Sequence, residues 1–262
     1  MDFRFTPGSM PLLLSIPHAG TGIPDELAGR YAPGAAARAD TDWHLARLYA
    51  FAGEMGASVL EARWSRYLID LNRPPEDTNL YPGQDTTGLC PVDTFAREPL
   101  YPPGMAPDTA EVRRRLDAYW RPYHAQLQAE LERLRAAHGR VVLWDAHSIA
   151  SRVPRFFEGR LPDLNFGTAD GKSCSPQLQG AIMRVAQAQE RFSFVFNGRF
   201  KGGHITRHYG DPQHGVHAIQ LEMCQCLYMD EAPPFDYRPD AAAHVQPLLR
   251  ELMQAALDWV RT

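Results

Sequence analysis

The chain has 262 residues, 44% of them apolar and 22% charged, with a formal charge of −4. That length can bury one substantial core, and the balance is ordinary for a soluble globular protein. It excludes a basic nucleic-acid footprint, and no apolar run reaches the about 18 residues of a membrane span.

Residues 1–10 lack the basic start and apolar core of an export signal. The four cysteines (Cys90, Cys174, Cys224, Cys226) include one C-x-C and no C-x-x-C, and read as free thiols of a reducing cytoplasm. Most of the prolines and glycines fall between periodic segments, so long ordered loops are expected.

Residues 11–16 read as a buried strand that breaks off into Pro17-His18-Ala19-Gly20, where small residues let the backbone turn beside the imidazole. A helix is expected from Asp40 to about Gly56, with Asp40 as N-cap, Asp42 in the first turn, and Leu45, Leu48, Tyr49 and Phe51 on its apolar stripe. Capping explains both acids. Asp42 becomes a metal-ligand candidate if the helix start faces His18.

Residues 57–62 and 67–70 read as two strands, leading into Asp70-Leu71-Asn72-Arg73-Pro74-Pro75. Pro74 forces Arg73 out of helical geometry, and a stiffened arginine beside an amide suits two-pronged recognition of a carboxylate. The alternative is a surface arginine paired with Glu76 or Asp77. Residues 76–106 form a long loop whose Leu80, Tyr81, Leu89, Phe95, Leu100 and Tyr101 argue for an ordered lid or pocket wall.

Asp108 to Glu111 resembles a capping box, opening a helix to Ala137 with a kink expected at Pro122 and a stop at Gly139. The apolar run Val141 to Trp144 reads as a strand buried on both faces, and Asp145-Ala146-His147-Ser148 follows it at the edge where open α/β sheets put their sites. Two buried strands each followed by a histidine could bring His18 and His147 to one metal ion.

Residues 155–170 read as a loop, 175–188 as a helix and 192–196 as a strand. Asn197 to Gly210 is the most site-like loop, with Arg199, Lys201, His204, Arg207 and His208 among its glycines. The last strand, residues 216–223, carries Glu222, an acid that an apolar strand tolerates only if paired, hydrogen-bonded or catalytic. Residues 247–260 form a closing amphipathic helix. With no repeat and no linker, one catalytic domain spanning residues 1–262 is expected, α/β in class, its strand–helix–strand rhythm favouring a sheet with helices on both faces.

Gathered at strand ends, His18, His147, Arg73, Arg207 and Glu222, with Asp42 at a helix start, supply the parts of a hydrolytic zinc site. Two histidines and a carboxylate hold the ion, a second carboxylate moves the proton, and arginines hold an acidic substrate. Ser15-Ile-Pro-His18-Ala-Gly20, Asp40-Thr-Asp42-Trp, Asp70-Leu-Asn-Arg73-Pro, Asp145-Ala-His147-Ser and Lys201-Gly-Gly-His-Ile-Thr-Arg207 resemble the N-formylglutamate amidohydrolase family over roughly residues 11–225.

The resemblance implies a three-layer αβα sandwich on a mixed, mostly parallel sheet, of the zinc-carboxypeptidase-like (phosphorylase/hydrolase-like) kind, and hydrolysis of N-formyl-L-glutamate, the last step of one histidine-degradation route. Asn72-Arg73 is also similar to the carboxylate-binding pair of zinc carboxypeptidases and of the aspartoacylase group. Those relatives use a His-x-x-Glu zinc motif, whereas Thr21 stands three residues after His18, so Asp42 is taken as the third ligand.

The implied scheme has His18, Asp42 and His147 on Zn2+ (or another divalent transition metal), Glu222 as base and His204 as oxyanion donor. Arg73, Arg207, Asn72 and Arg66 bind a small acidic N-acyl amino acid. Rival readings are an amidase for another acyl group, a non-catalytic binder of acidic metabolites, and a serine hydrolase using Ser148 or Ser15. The last lacks any G-x-S-x-G elbow.

Overall fold

The structure, a computed structural model, describes residues 2–262. Strands β1 (Phe3–Thr6), β2 (Leu12–Ile16), β3 (Ser58–Ala62), β4 (Val141–Ile149), β5 (Leu164–Gly167), β6 (Phe194–Phe196) and β7 (Val216–Cys224) form one sheet in the order β1-β3-β2-β4-β7-β5-β6. The central strands β3, β2, β4 and β7 are parallel, while β1 and β5 pair antiparallel with β3 and β7. The helices are α1 (Asp25–Ala28), α2 (Leu45–Leu48), α3 (Thr109–Arg115), α4 (Arg121–His138), α5 (Pro176–Gln187), α6 (His204–Tyr209) and α7 (Pro239–Arg261).

Alternation along the central strands divides them between two helical layers. Leu12, Leu14, Val142 and Trp144 pack with Leu178 and Ile182 of α5 and with Leu249 and Leu252 of α7. Leu13, Val141 and Leu143 face Tyr123, Leu127 and Leu131 of α4. Each fully buried leucine contributes about 1.5–3 kcal/mol, so Leu143→Ala, cut from the sheet centre, would cost about 2–5 kcal/mol. The result is the expected αβα sandwich.

Several local expectations are corrected. No helix starts at Asp40: His44 is left-handed (φ 62) and α2 begins only at Leu45. The backbone of residues 40–44 is committed elsewhere, with Asp42 N donating to His18 O and Asp40 N to the Tyr67 hydroxyl, while the Asp40 carboxylate accepts from Phe95 N. Residues 67–70 form no strand, because both edges of β3 are already taken by β1 and β2; the Asp70 amide bonds Leu89 O instead.

β4 does not end at Trp144. Its pairing with β7 continues through Asp145, His147 and Ser148 to Ile149, so the polar run lies within a strand. Within residues 155–170, β5 forms against β7, hidden in the sequence by Asn165 and Gly167 in a run of only four residues. Pro122 is absorbed by a π turn over Leu116–Trp120, since it has no N–H to offer the preceding turn. α7 begins upstream of Pro247, which is exposed along with Ala243, so the carbonyl freed by the proline faces water. Asp108 caps α3 as expected, accepting from Glu111 N at 2.7 Å.

Candidate active site

The carboxyl ends of β2, β4 and β7 open into a cleft lined by His18, Arg66, Asp70, Asn72, Arg73, His147 and Glu222. The turn after β2 supplies His18, β4 supplies His147, and the bent segment before α2 supplies Asp42. All three are buried, at 4%, 2% and 1% exposure, so water does not supply their partners.

His147 Nδ1 lies 3.1 Å from His18 Nδ1 and 3.3 Å from Asp42 Oδ2, and His18 Nδ1 is 3.8 Å from the same oxygen. A tetrahedral zinc site spaces its ligand atoms by roughly 3.4 Å, which these distances bracket. The outer nitrogens fit the same purpose. His18 Nε2 is 2.7 Å from Asp70 Oδ1, and a hydrogen there leaves the Nδ1 lone pair pointing inward.

His147 Nε2 has two neighbours, Asn72 Nδ2 at 2.9 Å and Asp145 Oδ1 at 3.1 Å. With the hydrogen on Nδ1, Asn72 donates to Nε2. With it on Nε2, Asp145 Oδ1, otherwise buried without a hydrogen bond, gains a donor and Nδ1 is freed for a cation. This His–Asp–His group could hold a metal ion.

Asp70 ties the centre together. Besides His18 it accepts from Arg66 Nη2 at 2.6 Å and from the Asn72 amide at 2.8 Å. Burial alone would raise the Asp70 carboxyl, but His18 and Arg66 hold it well below the usual range. Burial and Arg66 lower His18, against the pull of Asp70. For His147 burial works against the charge, yet Asp145 and Asp42 raise it well above an ordinary imidazole.

Glu222 stands directly opposite His147 in the β4–β7 register. Burial pushes its carboxyl up to about 8, with His147 opposing and Asp42 adding to the rise. Its side chain receives one long bond, from Gln220 Nε2 at 3.4 Å.

Two expected site residues lie off the cleft. Gly203 lines it and caps α6, whose first amides are fixed by Asn72: His204 N donates to the Asn72 carbonyl and Ile205 N to its side-chain oxygen. That anchoring turns the His204 ring away, 5.6 Å from Trp120 and 5.5 Å from His124, where burial and His208 lower it to about 4. Arg207 Nε donates to Gly202 O, and its guanidinium lies 5.2 Å from the Tyr81 ring. An oxyanion role for His204 and a direct carboxylate role for Arg207 therefore lose their geometric basis.

Arg73, Asn72 and Arg66 do line the cleft, although the Asn72 amide is spent on His147 and α6, and Arg66 on Asp70. Arg73 Nε is buried without a hydrogen bond. On the sequence alone no individual role in the site falls to Asp70, Asp145, Gln220, Tyr81 or Arg199. Asp70 directly precedes the Leu-Asn-Arg run, and Arg199 follows β6 in the glycine-rich loop, the two available signals. As expected, the 76–106 loop walls the cleft, through Tyr81, Asp85, Thr86 and Phe95.

All four cysteines are free thiols, and among the described residues no helix is long and apolar enough to cross a membrane.

Known proteins resemble the chain in sequence and in fold. The chain is 52% identical over 257 residues to the N-formylglutamate deformylase of Pseudomonas aeruginosa, covering 98% of this chain and 96% of the relative. It is 50% identical over 255 residues to that of Pseudomonas putida, covering 97% and 95%. The crystal structure of N-formylglutamate amidohydrolase from Ralstonia eutropha JMP134 superposes with a TM-score of 0.82 at 26% identity, covering 99% of this chain and 97% of that one. A gene product of Agrobacterium tumefaciens shares the fold, with a TM-score of 0.75 at 21% identity and coverage of 100% and 96%. The N-formylglutamate amidohydrolase family pattern matches residues 10–229, and the chain belongs to that family.

Proposed function

We propose that the chain hydrolyses N-formyl-L-glutamate to formate and L-glutamate, as a metal-dependent amidohydrolase. The observation that carries the reading is the convergence of three inward ligand atoms of His18, Asp42 and His147 beside Glu222. His18, Asp42 and His147 would hold a divalent ion, zinc by the two-imidazole, one-carboxylate donor set. Bound there, the ion supplies Lewis-acid polarisation of an amide carbonyl and acidifies water.

The chain's own residues do the rest. Asp70 and Asp145 fix the two imidazoles in the tautomers that present Nδ1. Glu222 accepts the proton of the attacking water. The water oxygen bonds the formyl carbon, the C–N bond breaks, and Glu222 returns the proton to the departing amine nitrogen. Glu222 must be ionised to start, and positive charge at the His18–Asp42–His147 triangle opposes the burial that raises its pKa. Arg73 holds a substrate carboxylate, so that binding energy aligns the scissile amide.

The free thiols support a reducing, cytoplasmic setting. The product pair supports a place at the end of a histidine-degradation route.

The test is formate release from N-formyl-L-glutamate by purified protein, with and without a chelator, followed by re-addition of zinc. Hydrolysis abolished by the chelator and restored by zinc is expected. No formate from any N-formyl acidic amino acid would overturn the activity, and full chelator-resistant turnover would overturn the metal.

A further inference from the structure

The cleft holds more positive charge than the chain neutralises. Of its three lining arginines, Arg66 is bonded to Asp70 at 2.6 Å. Of its three lining acids, Asp85 is spent on Arg155 and Arg97, and Glu222 belongs to the chemistry. Among the described residues the one carboxylate within ion-pair distance of Arg73 is Asp70 at 4.0 Å, already shared by His18 and Arg66, and its Nη2 makes a long bond to Thr87 Oγ1 at 3.5 Å. Among the described residues no carboxylate lies within ion-pair distance of Arg199, whose one hydrogen bond runs from Nε to Phe156 O at 2.6 Å. Two cations beside each other in a half-dry cleft are costly unless a ligand brings the opposite charges.

Arg199 is also held in place. Its guanidinium carbon lies 5.6 Å from the Tyr81 ring, 5.8 Å from Phe156 and 5.2 Å from Phe200. Tyr81 is fixed in turn: its hydroxyl donates to Gly202 O at 2.9 Å and accepts from Lys201 N at 3.1 Å, and Arg207 packs against the ring. With Nε turned to Phe156, the two terminal nitrogens remain for a ligand in a fixed fork. Burial lowers the Arg199 pKa and Arg73 adds repulsion, which a bound anion would relieve.

We propose that Arg199 is the specificity-determining residue that grips the γ-carboxylate of the substrate, while Arg73 takes the α-carboxylate. This rests on the amidohydrolase reading above. The α-carboxylate is one carbon from the scissile nitrogen, and of the two arginines left without a close carboxylate Arg73 is the one beside Asp70, which bonds His18. The γ-carboxylate reaches further, to the aromatic-walled end where Arg199 sits. A neutral isostere such as N-formyl-L-glutamine keeps the shape and loses the charge-assisted fork.

The experiment compares kcat/KM for N-formyl-L-glutamate and N-formyl-L-glutamine in wild type, Arg199→Met and Arg73→Met, each checked by melting temperature and zinc content. Wild type should favour the glutamate substrate by about 100-fold, the worth of a buried hydrogen-bonded charge. Arg199→Met should erase most of that ratio, and Arg73→Met should depress both substrates together. Arg199→Lys, a charge without the fork, should give an intermediate ratio.

A ratio unmoved by either Arg199 substitution overturns the proposal, as does a ratio that collapses in Arg73→Met instead. If neither Arg199 variant folds, a wild-type ratio near one still overturns it and a large ratio supports it. No formate from either substrate in zinc-loaded wild type would sink the activity reading itself, a separate outcome.

Discussion

Replacing Asp70 with asparagine removes one charge from the most heavily used acceptor in the site without changing its shape. In wild type its two oxygens serve His18 Nε2 at 2.7 Å, Arg66 Nη2 at 2.6 Å and the Asn72 amide at 2.8 Å. An asparagine has one acceptor oxygen, so its NH2 group must face at least one donor. Arg66, 8% exposed, is left as a buried cation without its carboxylate. Breaking a buried pair costs about 3–5 kcal/mol, and the nearby acids Asp40 and Asp42 argue for the lower end.

At about 2–4 °C per kcal/mol for a chain of this size, the metal-free melting temperature should fall by roughly 6–12 °C. The loss of the acceptor that orients His18 should also weaken zinc binding by about 10- to 100-fold. Thermal melts in chelator and a zinc titration against a chromophoric competitor read the two effects separately. A variant melting within about 2 °C of wild type, with zinc affinity within about threefold, would refute the role given to Asp70.

Glu222→Gln should lower kcat by about 100- to 10,000-fold while zinc content by elemental analysis stays at the wild-type level. Near-full turnover would remove it as the base. Gly203→Ala should cut formate release at least about tenfold by the mispositioning that follows: its new Cβ would fall 2.4 Å from Asn72 Nδ2, displacing the amide that contacts His147. Equal rates would show that Asn72 has room to yield.

His124 is buried neutral, its pKa lowered to about 3 chiefly by burial, so its stabilising contribution is present above the unfolded value near 6.5 and is lost as pH falls. His124→Phe keeps the stacking on Trp120 and removes the titration. The stability gap between it and wild type, measured by urea unfolding, should therefore narrow by about 2 kcal/mol from pH 7 to pH 5. A constant gap would mean that His124 takes up its proton equally in the folded and unfolded protein.

What the sequence revealed followed strong periodic signals. β2 is an apolar run, β7 alternates, and the Asp108 cap sits before the amphipathic segment that becomes α3 and α4. What it concealed was decided by contacts distant along the chain. Whether residues 40–44 would coil into a helix depended on a backbone bond from Asp42 to His18, which outweighs capping propensity. β5 exists because the β7 edge needs a partner, and its Asn165 repays the break in the apolar run by donating to Glu222 O.

In the site, the histidine after each of two apolar runs was legible because imidazole is rare in such places. The choice between Arg199 and Arg207 was not. Both lie in one glycine-rich loop, and only the start of α6, set by Asn72, decides which one faces the cleft. Asp70 was hidden for a similar reason: as part of an apparent strand it looked like a terminus, whereas its neighbours in space are residues 18 and 66.

The register of His147 against Glu222 bears on how specificity can change in this family. Parallel neighbours in a sheet stand about 4.8 Å apart, a spacing set by hydrogen bonds of the main chain and indifferent to side-chain substitution. Glu222, the proposed proton carrier, is thus held to His147, the proposed ligand, by the stiffest part of the molecule. Tyr81, Phe156 and Arg199 line the cleft from irregular segments, so under the proposal made above insertions or exchanges there would redirect the pocket toward other acyl acids while the reacting centre keeps its dimensions.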